Sequence, residues 1–283
     1  MKKVIAKVLT IGMIFSLFMT ACQESDTTEG AEITSFDLES EAALETSFEE
    51  VDLISDAGMQ TLDEPTNGRF MRDEILECAE VTKDTVNQVI TIDFGDGCEG
   101  PNGVVKKGKI IIEYEGRMHE VGSFRKVTLE DFYIDSIHVE GVRTLTNVTE
   151  ETNADISWSF NATIEGGKIT LPDGLFATRE ADHTRTVFLF EDWTESYATL
   201  DGSATGVLFN GNEYEISILE TLIFKRGCRD GRIVQPVDGI KQIIVGDRTA
   251  VIDYGEGSCD NLVRVDVDGN SFNRILRPRG RRF

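Results

Sequence analysis

From residue 75 onward the chain alternates apolar and polar positions with a period of two. "QVITIDF", "KGKIIIEYEG", "VRTLTNVT", "TRTVFLF", "EYEISILETLIFKRGC" and "IKQIIVGDRTAVIDYGEG" all follow this pattern. Such alternation puts every second side chain on one face, which is the signature of half-buried strands. Gly-bearing turns punctuate the runs: "YEGR", "VEGV", "EGGK", "PDGL", "FNGNE", "VGDR" and "VDGN". No helical period interrupts them, so crossovers between parallel strands are excluded and antiparallel hairpins are expected. About a dozen strands at this pitch predict a mainly β fold over residues 75–283, a large antiparallel sheet of meander, sandwich or barrel-like form.

Upstream the period changes. In "DLESEAALETSFEEVDLISDAGM", Leu44, Phe48, Val51 and either Leu53 or Ile54 fall at helical spacing, and Glu and Asp cover the remainder. The spacing predicts one N-terminal amphipathic helix over about residues 38–57, its acidic first turn suiting the positive helix end and Gly58 supplying the stop. Its apolar stripe is expected to pack on the β body, with docking to a partner as the alternative. "QTLDEPTNGRF" follows as a linker, so helix and linker occupy residues 37–74.

Residues 1–21 hold Lys2, Lys3 and Lys7 ahead of an apolar run from Val8 to Met19. The run is short for a membrane span and has the order of a secretory signal. Small residues Thr20 and Ala21 stand directly before Cys22, and "FMTAC" resembles the lipobox of bacterial lipoproteins, with Met19 where Leu is commonest. The resemblance implies a mature chain that starts at Cys22 and carries acyl chains, several of which anchor stably where one would not. Residues 22–36 begin "CQESDTTEGAE", an acidic stretch too polar to fold, expected to act as a flexible tether. Acid just after the lipidated Cys also resembles the export signal of Bacteroidetes surface lipoproteins. The expected location is the outer membrane of the cell envelope, on its surface or its periplasmic face.

The whole chain carries 28 basic and 51 acidic side chains, a net charge of −23. Such a surface repels nucleic acid and anionic membranes, because binding to them rests on phosphate neutralisation. The membrane is therefore expected as a partner only through the lipid on Cys22. Beyond Cys22 the cysteines are Cys78, Cys98, Cys228 and Cys259, an even number that in an exported protein argues for disulfides. Of three possible connectivities, Cys78–Cys98 and Cys228–Cys259 each bracket a single strand-turn-strand unit and are the expected pairs. No CxxC is present, and His119, His138 and His183 are scattered, so no metal site is expected.

One phrase occurs twice. "ITIDFGDGC" and "AVIDYGEGSC" each alternate an aliphatic residue with Asp, add an aromatic, and close on Gly-acid-Gly and Cys. Downstream, "GKIIIEYEG" parallels "NLVRVDVDG". A related hairpin unit is thus expected at about 78–116 and 228–269, with Phe94 and Tyr254 pointing into the core and Asp93 and Asp253 facing out or bracing the turn. Read as a calcium loop instead, Asp93, Asp96 and Glu99, or Asp253, Glu256 and Asp260, would supply hard oxygen ligands, but the spacing is not that of an EF-hand and acid beside Gly is ordinary turn chemistry. These repeated phrases, with "DYGEGSCDN" the more specific, resemble a family of uncharacterised lipoproteins of the Bacteroidetes cell envelope. The resemblance implies compartment and fold regularity, with no catalytic residue or ligand.

GxSxG, HExxH, P-loop and GxGxxG motifs are absent. His119 falls in a hairpin, His138 in a strand and His183 in the polar stretch "READHTRT". Trp158 is expected in the core and Trp193 at an exposed loop edge. The last ten residues, "RILRPRGRRF", carry five arginines that suit the acidic surface, an acidic partner or lipid head groups. The sequence therefore predicts no catalytic residue and no cofactor: a lipid-anchored, disulfide-bonded β protein with a structural or binding role. An envelope hydrolase acting on glycans and a calcium-stabilised adhesin are the alternatives.

Overall fold

The computed structural model describes residues 35–62, 75–100, 103–150, 157–192, 194–228, 236–260 and 262–275. The signal, Cys22, the tether up to residue 34, most of the linker, Trp193 and residues 276–283 of the Arg-rich segment lie outside the described residues.

A long helix, α1 (Ser35–Gln60), precedes the strands. These are β1 (Glu80–Asp84), β2 (Val89–Asp93), β3 (Cys98–Glu99), β4 (Val105–Glu115), β5 (Phe124–Ile134), β6 (Ile137–Asn147) and β7 (Ser157–Thr170). They continue as β8 (Phe176–Phe188), β9 (Tyr197–Val207), β10 (Glu213–Lys225), β11 (Asp238–Val245), β12 (Arg248–Glu256), β13 (Leu262–Val267) and β14 (Asn270–Ile275). All belong to one antiparallel meander in chain order, save that β3 pairs only with β4. Among the described residues the sheet ends in β1 on one side and β14 on the other, so it is one open sheet, not closed into a barrel.

The helix lies on one face of this sheet, here the inner face. Leu44, Phe48, Val51 and Ile54 are buried there against Ile90, Ile92, Ile110, Ile112, Val127, Phe132 and Ile169. Four such anchors contribute on the order of 8 kcal/mol. Ile54 rather than Leu53 completes the stripe, since Leu53 is only half-buried. Gly58 does not stop the helix, which runs on to Gln60. A Cβ on Gly58 would stand 2.8 Å from Cδ1 of Ile92 and 2.9 Å from that of Ile112. The glycine lets helix and sheet approach closely.

Both predicted disulfides are present, with Cα separations of 5.6 Å for Cys78–Cys98 and 5.3 Å for Cys228–Cys259. The repeated unit is equally regular. Phe94 and Tyr254 are buried. Asp93 Oδ1 accepts the Gly95 N–H at 2.8 Å, and Asp253 Oδ1 accepts the Gly255 N–H at 2.9 Å. Gly95 and Gly255 take φ of 60° and 91°, the left-handed turn that a side chain would strain. Across the ladder Asp93 faces Lys109 and Asp253 faces Arg264. The two units therefore share a strand register, with a cation opposite each Asp, as well as a phrase, although among the described residues β3 occurs only in the first.

Candidate binding face

Alternation along the strands turns five basic side chains toward the helix. Lys106 of β4 meets Glu50 at 3.1 Å, and Arg125 of β5 meets Asp56. Arg143 of β6 grips Asp52 at 2.9 Å, while Arg179 of β8 and Lys241 of β11 approach Glu41 at 3.6 and 3.5 Å. The acidic residues of α1 thus do more than cover a solvated surface: they neutralise cations buried under the helix. A signal for this was present in the sequence, where "FRKVTL", "ATREA" and "IKQII" each place a cation in the inward phase of a strand. Removing one partner from such a pair leaves an uncompensated charge, so the network fixes how the helix seats.

The network also accounts for the perturbed groups. Burial pulls the Lys241 ammonium down, but the Glu41 charge overcomes it and holds the group above its ordinary value. Burial raises the Tyr214 hydroxyl to about 12. His183, expected in a polar loop, instead lies within β8 on the inner face. Burial first, and the Arg179, Arg143 and Lys241 cations second, push it down to about 4.

Beyond the helix the inner face is less covered. Two rows of side chains cross four strands there. Trp158 of β7 pairs with Val187 of β8, which pairs with Ala198 of β9, which pairs with Phe224 of β10. The adjacent row runs Phe160, Arg185, Leu200 and Leu222. Trp158, Phe160, Val187, Leu200 and Phe224 are half-buried, and Arg185 is exposed with its guanidinium 6.0 Å from the Phe224 ring centroid. Trp158 therefore belongs to this partly open strip and not to the main core. At its far side Leu222 is buried in a second small cluster with Tyr254 and Val263. Carboxylates of Glu150, Glu191, Asp192 and Glu195 are exposed on the loops that leave β6 and join β8 to β9. The strip is an apolar, aromatic surface bearing one cation, which suits a flat apolar or aromatic group.

The other predicted residues are dispersed. His119 lies in the turn between β4 and β5. His138 lies on the outer face, stacked on Tyr133 at 4.5 Å and 3.6 Å from Glu140. Asp93 is held by Lys109 at 2.8 Å as well as by its turn, and Asp260 Oδ1 accepts the Leu262 N–H at 3.0 Å. Among the described residues no group of three or more His, Cys, Asp or Glu is arranged to hold a metal ion. No described helix is long and apolar enough to cross a membrane.

Compared with known families, curated proteins and solved structures, the chain matches none of them.

Proposed function

We propose that the chain is a cell-envelope lipoprotein, anchored through acyl chains on Cys22, whose β body binds a partner and does not transform one. The reading rests on the strip of Trp158, Phe160, Leu200 and Phe224 with Arg185, a partly open aromatic surface on a rigid sheet. Two cystines support an oxidising compartment outside the cytoplasm. The groups with strongly shifted pKa, His183, Tyr214 and Lys241, belong to the charge network under α1, so their shifts have a structural cause and need no catalytic one.

Two measurements test the reading. Cys22→Ser should move the protein from the membrane fraction to the soluble fraction of an expressing bacterium, and its retention in the membrane sinks the anchor. For binding, the labelled protein is applied to peptide and glycan arrays beside a Trp158→Ala, Phe160→Ala double variant. The wild type should show a signal that the variant loses; equal signals, or none from the wild type, overturn the assignment of this face.

A further inference from the structure

An open sheet ends in two edge strands, each presenting backbone N–H and C=O groups that no neighbour takes up. Among the described residues the edges are β1 and β14, and they are equipped differently. β1 carries Glu80, Lys83 and Asp84 within five residues. The Lys83 ammonium also donates to the Thr61 carbonyl at 2.9 Å, just past the end of the helix. Charge of this kind discourages another strand from adding. β14 reads Asn-Ser-Phe-Asn-Arg-Ile, and all six residues are exposed. Among the described strands it alone has no Asp or Glu, in a chain of net charge −23. Its two large apolar side chains point to opposite faces. Phe272, 49% exposed, pairs with Val265, and Ile275, 67% exposed, pairs with Leu262, itself 43% exposed.

We propose that β14 is a docking edge for a second copy of this chain, the two β14 strands pairing antiparallel about a two-fold axis. Charge selects the occupant. Two strongly acidic molecules repel at long range, and β14 against β14 is the one strand pairing in which neither side brings a carboxylate. The geometry is self-complementary, so it closes at two copies and does not propagate into a fibre. Side chains alternate, so keeping inner face on inner face restricts the register. Phe272 then stands opposite either Phe272 of the partner subunit or Arg274 of the partner subunit. Each arrangement covers the ring, as an aromatic pair or beneath a guanidinium. Six residues supply about 20 Å of strand from each molecule, short of a standard interface, so association is weak and concentration-dependent.

Sedimentation velocity of residues 23–283, which retain the whole compact unit Ala31–Phe283, tests this between about 5 and 500 µM, the range of weak interfaces. The wild type should move from monomer toward dimer across that range. Phe272→Glu should weaken association at least about tenfold, and so should Asn273→Glu, on the opposite face of the strand, while Thr82→Glu on β1 leaves it unchanged. Circular dichroism confirms that each variant is folded, and the two β14 variants keep the test open should one misfold. A wild type that stays monomeric throughout, β14 variants that dimerise like the wild type, or loss of dimer in Thr82→Glu each overturn the proposal.

Discussion

Asp52 of the helix accepts two parallel hydrogen bonds from Arg143 of β6, Nε to Oδ1 at 3.0 Å and Nη2 to Oδ2 at 2.9 Å. This is a two-point contact on a side chain that is largely buried, and it sets both the rotation and the position of α1 on the sheet. Replacing Asp52 with Ala keeps the helix but strands the guanidinium. The expected loss is about 2–3 kcal/mol in urea unfolding. Removing both charges, as Asp52→Leu with Arg143→Met, should return stability to within about 1 kcal/mol of the wild type, because an apolar pair of similar volume escapes the desolvation cost. A double variant as unstable as the single one would show that the contact is made of more than charge.

His183 gives the fold an acid limit. Folded, the imidazole resists protonation down to about 4 because it is buried and faces Arg179, Arg143 and Lys241, with Glu45 the opposing charge. Unfolded, it takes a proton near 6.5. Above that value the side chain is neutral in both states and contributes nothing. As the pH falls from about 6.5 toward 4 the unfolded chain gains a proton that the folded chain refuses, and stability is lost. Between pH 7.5 and 5 the wild type should lose about 2 kcal/mol more than His183→Gln, measured by urea midpoints at both pH values. Parallel losses in the two proteins would place His183 outside the cause.

The period-two pattern made the strands legible, and it did so because each is half-buried: Ile90 and Ile92, or Ile110 and Ile112, stand at alternate positions and are fully covered. The disulfide pairs were legible for a related reason, since each closes one local hairpin and needs no long-range contact. The inner charge network was legible on its strand side alone, where Arg125, Arg179 and Lys241 stand in the inward phase of their strands. Glu41, Glu50, Asp52 and Asp56 have the look of a solvated helix flank, and what pairs them is five cations spread over strands from β4 to β11. Gly58 misled in the same way, because a glycine that ends a helix and a glycine that lets a sheet come near are identical in sequence. The aromatic strip was hidden for a further reason. Trp158 and Phe160 share a face with Phe224 only through the pairing of β7, β8, β9 and β10, and no local period announces which strands are neighbours.

The two cystines should contribute comparably. Their sequence separations are 20 and 31 residues, and closing loops of that size in the unfolded chain is worth about 3–4 kcal/mol each. In each bridge one cysteine is buried, Cys98 or Cys228, and its partner is exposed. Replacing either pair with Ala should lower stability by about 3 kcal/mol in guanidinium unfolding, and both replacements together should lower it by nearly the sum, because the units occupy well-separated parts of the sheet. A pair whose removal costs less than about 1 kcal/mol would not be bracing its hairpin.

Gly167 sits where the Phe48 ring of the helix meets the sheet. The ladders between β6, β7 and β8 shift register at this point, between Glu140 and Val142 and between Ile164 and Gly167, and the Phe48 ring comes down onto the irregularity. A Cβ built on Gly167 would lie 2.5 Å from the Arg179 carbonyl oxygen, 2.6 Å from Ile164 Cγ2 and 3.0 Å from Phe48 Cζ. The first of these is backbone held in the ladder, and the other two are core atoms, so none moves without disturbing its neighbours. Gly167→Ala should therefore cost about 2–3 kcal/mol, the range of an overpacked core. Gly100→Ala, where the nearest atom would be 3.6 Å away, is the matched control and should stay within about 0.5 kcal/mol of the wild type. Pairing Gly167→Ala with Phe48→Leu separates the two sources of strain. If the smaller side chain restores most of the loss, the helix is the obstacle; if it restores none, the clash lies within the sheet, between Gly167 and the β8 backbone.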